Sequence, residues 1–161
     1  MQTDKNVLAI DLGTQAGWAV WANGVITSGS VSLHRYKGCK SRPADHAGKT
    51  YLNFYAWLNE KVITDRIEEI AFEEPMGHMK NAAATNILHG LRGILMFIAA
   101  KFNVPVTGYP QPKIKKNATG KGNSKKPEMV AWAEKRFAPI GHKIDENEAD
   151  ALAVLNIHLS L

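Results

Sequence analysis

Three acidic residues stand where an acid could do chemistry. Asp11 ends an apolar run that begins at Val7, and Glu73 ends a second apolar run that begins at Ile67. Asp150 interrupts the otherwise apolar stretch Ala-Asp-Ala-Leu-Ala-Val. An acid in apolar surroundings cannot stay unpaired, so each must cap a turn, reach water or bind a cation. Taken singly, each is explained as well by a solvated strand end or helix start, and Glu74 is as good a candidate as its neighbour.

Taken together, the three acids predict a site for divalent metal ions. Two neighbouring strand ends and a helix packed across them would bring the carboxylates to one place. Mg²⁺ prefers oxygen ligands and keeps several waters, so a few carboxylates can hold two ions and leave room for a phosphate. Two ions about 4 Å apart activate a water and stabilise the departing oxygen of an in-line displacement. The chemistry that this pattern predicts is phosphodiester hydrolysis.

The elements that must position these acids are readable from apolar spacing. Strands are predicted at Val7 to Asp11, on both sides of the Asn23-Gly24 turn, from Ile67 to Phe72 and from Val104 to Tyr109. Helices are predicted near residues 51–62, 81–102 and 127–137 and from about residue 145. This order predicts an α/β fold with a mixed five-stranded sheet and helices on both faces. At 161 residues we expect a single domain over 1–161.

The segment from Pro110 to Lys126 is rich in lysine and contains no acid. It lacks apolar periodicity, so we predict a mobile loop. A solvated charge run is its simplest explanation, but its place between the acidic motifs favours a role in contacting nucleic-acid phosphates. The candidate DNA-binding lysines are Lys113, Lys115, Lys116, Lys121, Lys125 and Lys126.

The composition excludes several other classes of protein. With 45% apolar and 22% charged residues the chain resembles an ordinary globular protein, and we expect no membrane insertion. The polar start has no secretory signal, so a cytoplasmic protein is expected. Cys39 is the single cysteine and cannot form an internal disulfide. The net charge of +5 favours nucleic acid only weakly, because its distribution matters more than its total.

Three motifs, in order, resemble those of the RuvC Holliday-junction resolvases. They are Ala-Ile-Asp-Leu-Gly-Thr with Gly-Trp-Ala, then Ala-Phe-Glu-Glu-Pro, and finally Glu-Ala-Asp-Ala-Leu-Ala-Val. The resemblance implies a ribonuclease-H-like fold, a homodimer, and Mg²⁺ or Mn²⁺ held by Asp11, Glu73 and Asp150. It also implies paired nicks across four-way DNA junctions, with forks and flaps as further candidate substrates. Arg92 lies on the long helix, where a polar stripe could face DNA or a partner subunit.

Two positions depart from the family pattern. The family has Asp or His three residues before its last acid, where this chain has Asn147. Helix spacing puts Asn147 and Glu146 on the face of Asp150, whereas Asp145 and Glu148 resemble a capping box. Our hypothesis is that Asn147 is the fourth metal ligand, with Glu146 in reserve.

The second departure is Met76. It stands where the bacterial enzymes often have an aromatic residue that enters the junction, and it could act as an apolar wedge between bases. Packing within its own loop is the alternative explanation of this residue.

Three other functions remain to be weighed. The Asp-Leu-Gly-Thr turn also opens the phosphate-binding motif of actin-like ATPases and sugar kinases, but those proteins need two related domains. A YqgF-like RNA-processing nuclease would share the fold and the first acid, although the basic segment and the last motif favour RuvC. A non-catalytic protein that binds branched DNA is supported by Asn147 and opposed by the three acids.

Overall fold

The computed structural model describes residues 4–34, 43–76, 81–137 and 142–160. The polar, basic loop expected over residues 35–42, with Cys39 in it, lies outside the described residues.

Five strands form one mixed sheet in the order β3-β2-β1-β4-β5. β1 pairs in antiparallel fashion with β2 and in parallel with β4, with Ala9 opposite Ala71. β2 and β3 form a hairpin through Asn23 and Gly24, whose φ angles of 51° and 81° are those of the predicted two-residue turn. The strands are β1 (Val7–Asp11), β2 (Gln15–Ala22), β3 (Val25–Ser32), β4 (Glu69–Glu73) and β5 (Val106–Tyr109).

Helices cover both faces of this sheet, as predicted, and each face has its own apolar core. One core is built with α1 and α2, and includes Phe54, Leu91 and Leu95. The other is built with α3, α4 and α5, and includes Ile114, Met129 and Leu152. The helices are α1 (Pro43–Thr64), α2 (Ala82–Phe102), α3 (Gln111–Thr119), α4 (Lys126–Arg136) and α5 (Glu146–Leu159).

The helix α2 is long and apolar. It has 21 residues, and an 18-residue window of it has a mean hydropathy of 1.3, which is enough by length and composition for a membrane span. Of that window 22% is buried, and the residues that α2 buries in the core are Leu91, Leu95, Ile98 and Ala99. Asn81 caps its start by accepting a hydrogen bond from the main-chain N–H of Ala83 at 2.9 Å, as predicted.

The prediction of a mobile loop from Pro110 to Lys126 is wrong. Residues Gln111–Thr119 form α3, and the side chain of Ile114 is only 1% exposed. Pro112 lies in its first turn and Gly120 ends it at a φ of 83°, an arrangement that favours a short helix. Because this nine-residue helix buries one large apolar residue, its sequence has no repeating apolar pattern from which a helix could be predicted.

Candidate active site

The three acids converge at one edge of the sheet. Asp11 and Glu73 are the last residues of β1 and β4, which are parallel neighbours in register, so their carboxyl ends lie side by side. Asp150 comes from the second turn of α5, which packs across β1 and β2. Small residues permit this close packing, because Ala149, Ala151 and Ala153 are all fully buried. The predicted juxtaposition of two strand ends and a helix is therefore present.

The surroundings of these acids disfavour their negative charges. Burial raises the pKa of Asp11 well above its ordinary value, and the charges of Glu73 and Asp150 raise it further. Burial and the charge of Asp150 raise the pKa of Glu73 to about 7. The pKa of Asp150 is raised mainly by burial, while Lys115 and Lys126 partly offset that rise. Three half-buried acids that repel one another form a region of negative potential that a cation would stabilise.

The donor set fits a hard divalent cation. Carboxylate oxygens are the preferred ligands of Mg²⁺, which usually keeps several waters and takes one or two protein carboxylates. Among the described residues, no three Asp, Glu, His or Cys side chains are close enough to enclose a metal ion as they stand. The three acids interact electrostatically without forming a closed ligand cluster.

The geometry separates Glu73 from Glu74, which the sequence left as equal candidates. The Glu73 carboxylate accepts a hydrogen bond from Gln111 at 2.9 Å and interacts with the other two acids. Glu74 lies instead against Gly108 of β5 and 3.9 Å from the guanidinium of Arg92. Successive residues of a strand point to opposite faces, which explains the division. Glu73 is the acid that belongs to the cluster.

The helix α3 contributes two residues to this site. Gln111 donates to Glu73, and Lys115 lowers the pKa of both Glu73 and Asp150 by its positive charge. They are four residues apart and share one face of α3. Sequence reasoning named Lys115 as a DNA contact but missed Gln111. The signal was available, since Pro112 and Gly120 bracket a helix that places the two side chains together.

The remaining predicted DNA contacts have separate positions. Lys126 forms an ion pair with Glu146 at 2.7 Å, and its charge lowers the pKa of Asp11 and Asp150. Met76 follows β4 and is 57% exposed. Arg92 faces Glu74 and the ring of Phe72, on the α2 side of the sheet. The other four predicted DNA contacts have exposed side chains; they are Lys113, Lys116, Lys121 and Lys125.

Hydrogen bonds from β3 fix the start of α5. The Asp145 side chain caps the helix by accepting from the main-chain N–H of Glu148 at 2.9 Å, as predicted. Ser30 donates to this carboxylate. The second half of the predicted capping box is wrong, because the buried Glu148 carboxylate bonds Ser28 and His142, each at 2.7 Å. The bond to Ser28 joins α5 to β3, whereas a local cap would join residues of α5 only.

A glycine allows α5 to approach the sheet beside the acids. A Cβ atom at Gly17 would overlap the main-chain carbonyl oxygen of Asn147. Asn147 itself is half-buried in the first turn of α5, three residues before Asp150. The candidate fourth ligand therefore lies on the turn that Gly17 brings closest to β2.

The chain matches known proteins along most of its length. The family profile described as "Crossover junction endodeoxyribonuclease RuvC" matches residues 7–158. A protein of that name from Oleidesulfovibrio alaskensis is 28% identical over 158 residues, which cover 96% of this chain and 90% of the relative.

Two solved structures share the fold. Thermus thermophilus RuvC in complex with a Holliday junction substrate aligns with a TM-score of 0.68 at 19% identity, over 93% of this chain and 89% of the other. The yeast mitochondrial Holliday junction resolvase aligns with a TM-score of 0.65 at 13% identity, over 96% of this chain and 77% of the other. These likenesses confirm the predicted ribonuclease-H-like fold.

Proposed function

The chain belongs to the RuvC family of crossover junction endodeoxyribonucleases, and from that premise we propose that it cleaves four-way DNA junctions by metal-dependent phosphodiester hydrolysis. The observation that carries the proposal is the convergence of Asp11, Glu73 and Asp150 at the carboxyl ends of β1 and β4. Forks and flaps are further candidate substrates. We propose that residues 1–161 act as one domain, because both helical layers pack on a single sheet.

We assign a role to each site residue. Asp11, Glu73 and Asp150 would hold two Mg²⁺ ions, which Mn²⁺ could replace, and Asn147 would be the fourth ligand. When bound, the metal ions supply an activated water and stabilise the departing oxygen. Gln111 holds the Glu73 carboxylate in place through its hydrogen bond. The half-buried cluster also limits access of bulk water to the acids.

The basic residues hold the DNA. Lys115 and Lys126 stand beside the acids, where their charges attract the phosphate that is to be cleaved. Phosphate contacts give affinity without reading sequence, which suits an enzyme that recognises a branched shape. Met76 is exposed next to β4 and can enter between bases. The other contacts of this proposal are Arg92, Lys113, Lys116, Lys121 and Lys125.

Two subunits match the symmetry of the substrate. A four-way junction that is cut at paired positions needs two active sites related by a two-fold axis. Two large apolar side chains on α1 and α2 support a dimer, because Leu52 is 67% and Phe97 is 61% exposed. Light scattering tests this part, and a monomer at micromolar concentration with and without DNA would leave a one-site fork or flap nuclease. The cytoplasmic location stays a prediction.

Cleavage of a labelled four-way junction tests the function. We expect nicks at paired positions with Mg²⁺ or Mn²⁺, none with EDTA, and far less cleavage of linear duplex. Glu73→Gln should abolish cleavage, whereas the matched control Glu74→Gln should retain it, because Glu74 faces Arg92 outside the cluster. Junction binding with no cleavage under any metal would favour a non-catalytic protein. Preferential cleavage of structured RNA would favour an RNA-processing nuclease.

A further inference from the structure

The structure contains a second basic site on the side of α3 that faces away from the acids. A cavity of about 480 Å³ opens between α3, the end of β5 and the last turn of α5. Its polar lining residues include Tyr109, Lys113, Lys116, Asn117 and His158. None of the three acids lines it.

Helix geometry explains why α3 serves two sites. Residues three or four apart share a face, so Gln111 and Lys115 face the acids together. Lys113, Lys116 and Asn117 share a different face by the same rule and line the cavity. The buried Ile114 anchors the helix between the two sites.

The lining of this cavity is organised for an anion. Asn117 uses its side-chain oxygen to accept a hydrogen bond from Asn156 at 2.7 Å, so its amide NH₂ is the group that it can offer a ligand. The Lys113 ammonium lies 5.7 Å from the centre of the Tyr109 ring, which the cavity shares. The hydroxyl of Tyr109 is held 3.1 Å from His158 Nδ1.

One acid lies behind this wall, and its charge is already balanced. His158 Nε2 is 3.1 Å from the Glu69 carboxylate, and Lys5 forms an ion pair with the same carboxylate. The charged groups that line the opening are then two ammonium groups, and the amide NH₂ of Asn117 adds a neutral donor. A singly charged phosphodiester matches this set in both charge and hydrogen bonding.

We infer that this cavity binds a backbone phosphate of the DNA substrate, separate from the phosphate at the acids. The inference rests on the proposed function for its ligand. Asp150 and His158 are eight residues apart on α5, which corresponds to about 12 Å along the helix. One strand of B-form DNA carries a phosphate every 3.4 Å of its axis, so a phosphate within about four nucleotides of the cleavage position can reach the cavity.

Binding measurements on two charge-matched variants test the inference. The first is Lys113→Gln with Lys116→Gln, and the control is Lys135→Gln with Arg136→Gln, both exposed at the end of α4. All proteins also carry Asp150→Asn, so that binding is measured without cleavage. We expect the cavity variant to bind a four-way junction about tenfold more weakly and to lose about one unit of the slope of log affinity against log salt. The control should keep the parent slope, and equal melting temperatures should exclude a folding defect.

Neutral phosphate analogues locate the contact. Methylphosphonates are placed singly at each of the positions flanking the cleavage site. One position should weaken binding to the parent and leave the cavity variant unaffected, because the two changes remove the same contact. The inference is overturned if the cavity and control variants lose equal affinity, if every methylphosphonate penalty persists in the cavity variant, or if the parent binds no branched DNA.

The outcome separates this inference from the proposed function. Coupling between the cavity and one phosphate, together with no metal-dependent cleavage by the chain that keeps Asp150, would support the cavity and reject the nuclease. Metal-dependent cleavage with no such coupling would support the nuclease and reject the cavity.

Discussion

The two helical layers that cover the sheet differ in their share of small side chains, because α5 adds three buried alanines to the large residues of its layer. The layer of α1 and α2 buries large residues, among them Phe54, Leu58 and Leu95. On the other face, α5 buries Ala149 and Ala151 against β1 and β2. Large side chains fill a wide gap between helix and sheet, whereas alanine brings the helix backbone close to the strands.

This difference shows where close packing of a helix on the sheet is needed to build the site. Only the alanine-rich layer brings a helical carboxylate to the strand-end acids, and Gly17 extends the close approach to the first turn of α5. The first layer stabilises the fold and supplies none of the three acids. The second layer adds Asp150 to the two strand-end acids, whose charges repel it, so the cluster carries an electrostatic cost that a bound metal ion would offset.

The largest expected effect comes from Asp11→Asn at the end of β1, on the side of the acid cluster that α5 completes. Cleavage should fall by at least about 10³-fold, because the change removes several kcal/mol of metal-dependent stabilisation. In metal-free buffer the same variant should melt roughly 2–4 °C above the parent, as about 1 kcal/mol of relieved repulsion gives in a domain of this size. A junction-nicking assay and a thermal melt with EDTA measure the two effects.

Leu95→Ala in the first layer is the contrasting control. It should lose about 2–5 kcal/mol of unfolding free energy by leaving a cavity, while the folded fraction keeps its metal requirement. A fall in melting temperature for Asp11→Asn would contradict the proposed difference between the layers.

The next effect concerns the close approach at Gly17. An added methyl group in Gly17→Ala would overlap the Asn147 carbonyl and push the start of α5 outward. We expect a loss of about 10²-fold in cleavage, the order that a misplacement of about 1 Å gives. The matched control is Gly93→Ala, since a Cβ there meets nothing within 4 Å. Equal cleavage by the two variants at saturating Mg²⁺ would show that cleavage does not depend on the close approach of α5 to β2.

The sequence predicted the elements that depend on local pattern. The strand ends at Asp11 and Glu73, the Asn23-Gly24 turn and the cap at Asn81 all followed from spacing and residue type, and the structure confirms them. Their determinants lie within a few residues of each other. Short-range rules are sufficient for such features.

Those short-range rules cannot predict contacts between distant segments of the chain. The bonds of Glu148 to Ser28 and His142 join residues up to 120 positions apart, and a local capping rule assigned Glu148 another role. The fit of Gly17 under Asn147 is also visible only in three dimensions. The helix α3 was not predicted, because a single buried residue, Ile114, gives no repeating apolar pattern.

A smaller effect is expected in the dependence of stability on pH. With a pKa of about 7 in the folded protein against an ordinary 4.5, Glu73 keeps a proton that the unfolded chain has already lost. The folded state then binds more protons, so unfolding free energy falls as pH rises between these two values and levels off above them. Urea unfolding with EDTA across this range should give a shallower fall for Glu73→Gln than for the parent.

Glu74→Gln is the control for this slope, because Glu74 lies outside the cluster beside Arg92. The same pH dependence in both variants would show that the cluster does not set it. Added Mg²⁺ should restore stability at the alkaline end for the parent and for Glu74→Gln.

The smallest expected effect concerns Asn147, the proposed fourth ligand. Its half-buried place three residues before Asp150 puts it on the same helix face. Glu146, the reserve candidate, is exposed and forms an ion pair with Lys126, so it would have to give up that partner to reach a metal.

An amide oxygen is a neutral ligand, and replacing it with a carboxylate should strengthen Mg²⁺ binding. Asn147→Asp should therefore lower the Mg²⁺ concentration for half-maximal cleavage by about three- to tenfold, or roughly 0.7–1.4 kcal/mol. Asn147→Ala should raise it, and Glu146→Gln should leave it nearly unchanged. Cleavage measured against Mg²⁺ concentration decides, and if only Glu146→Gln shifted the curve, the ligand would be Glu146.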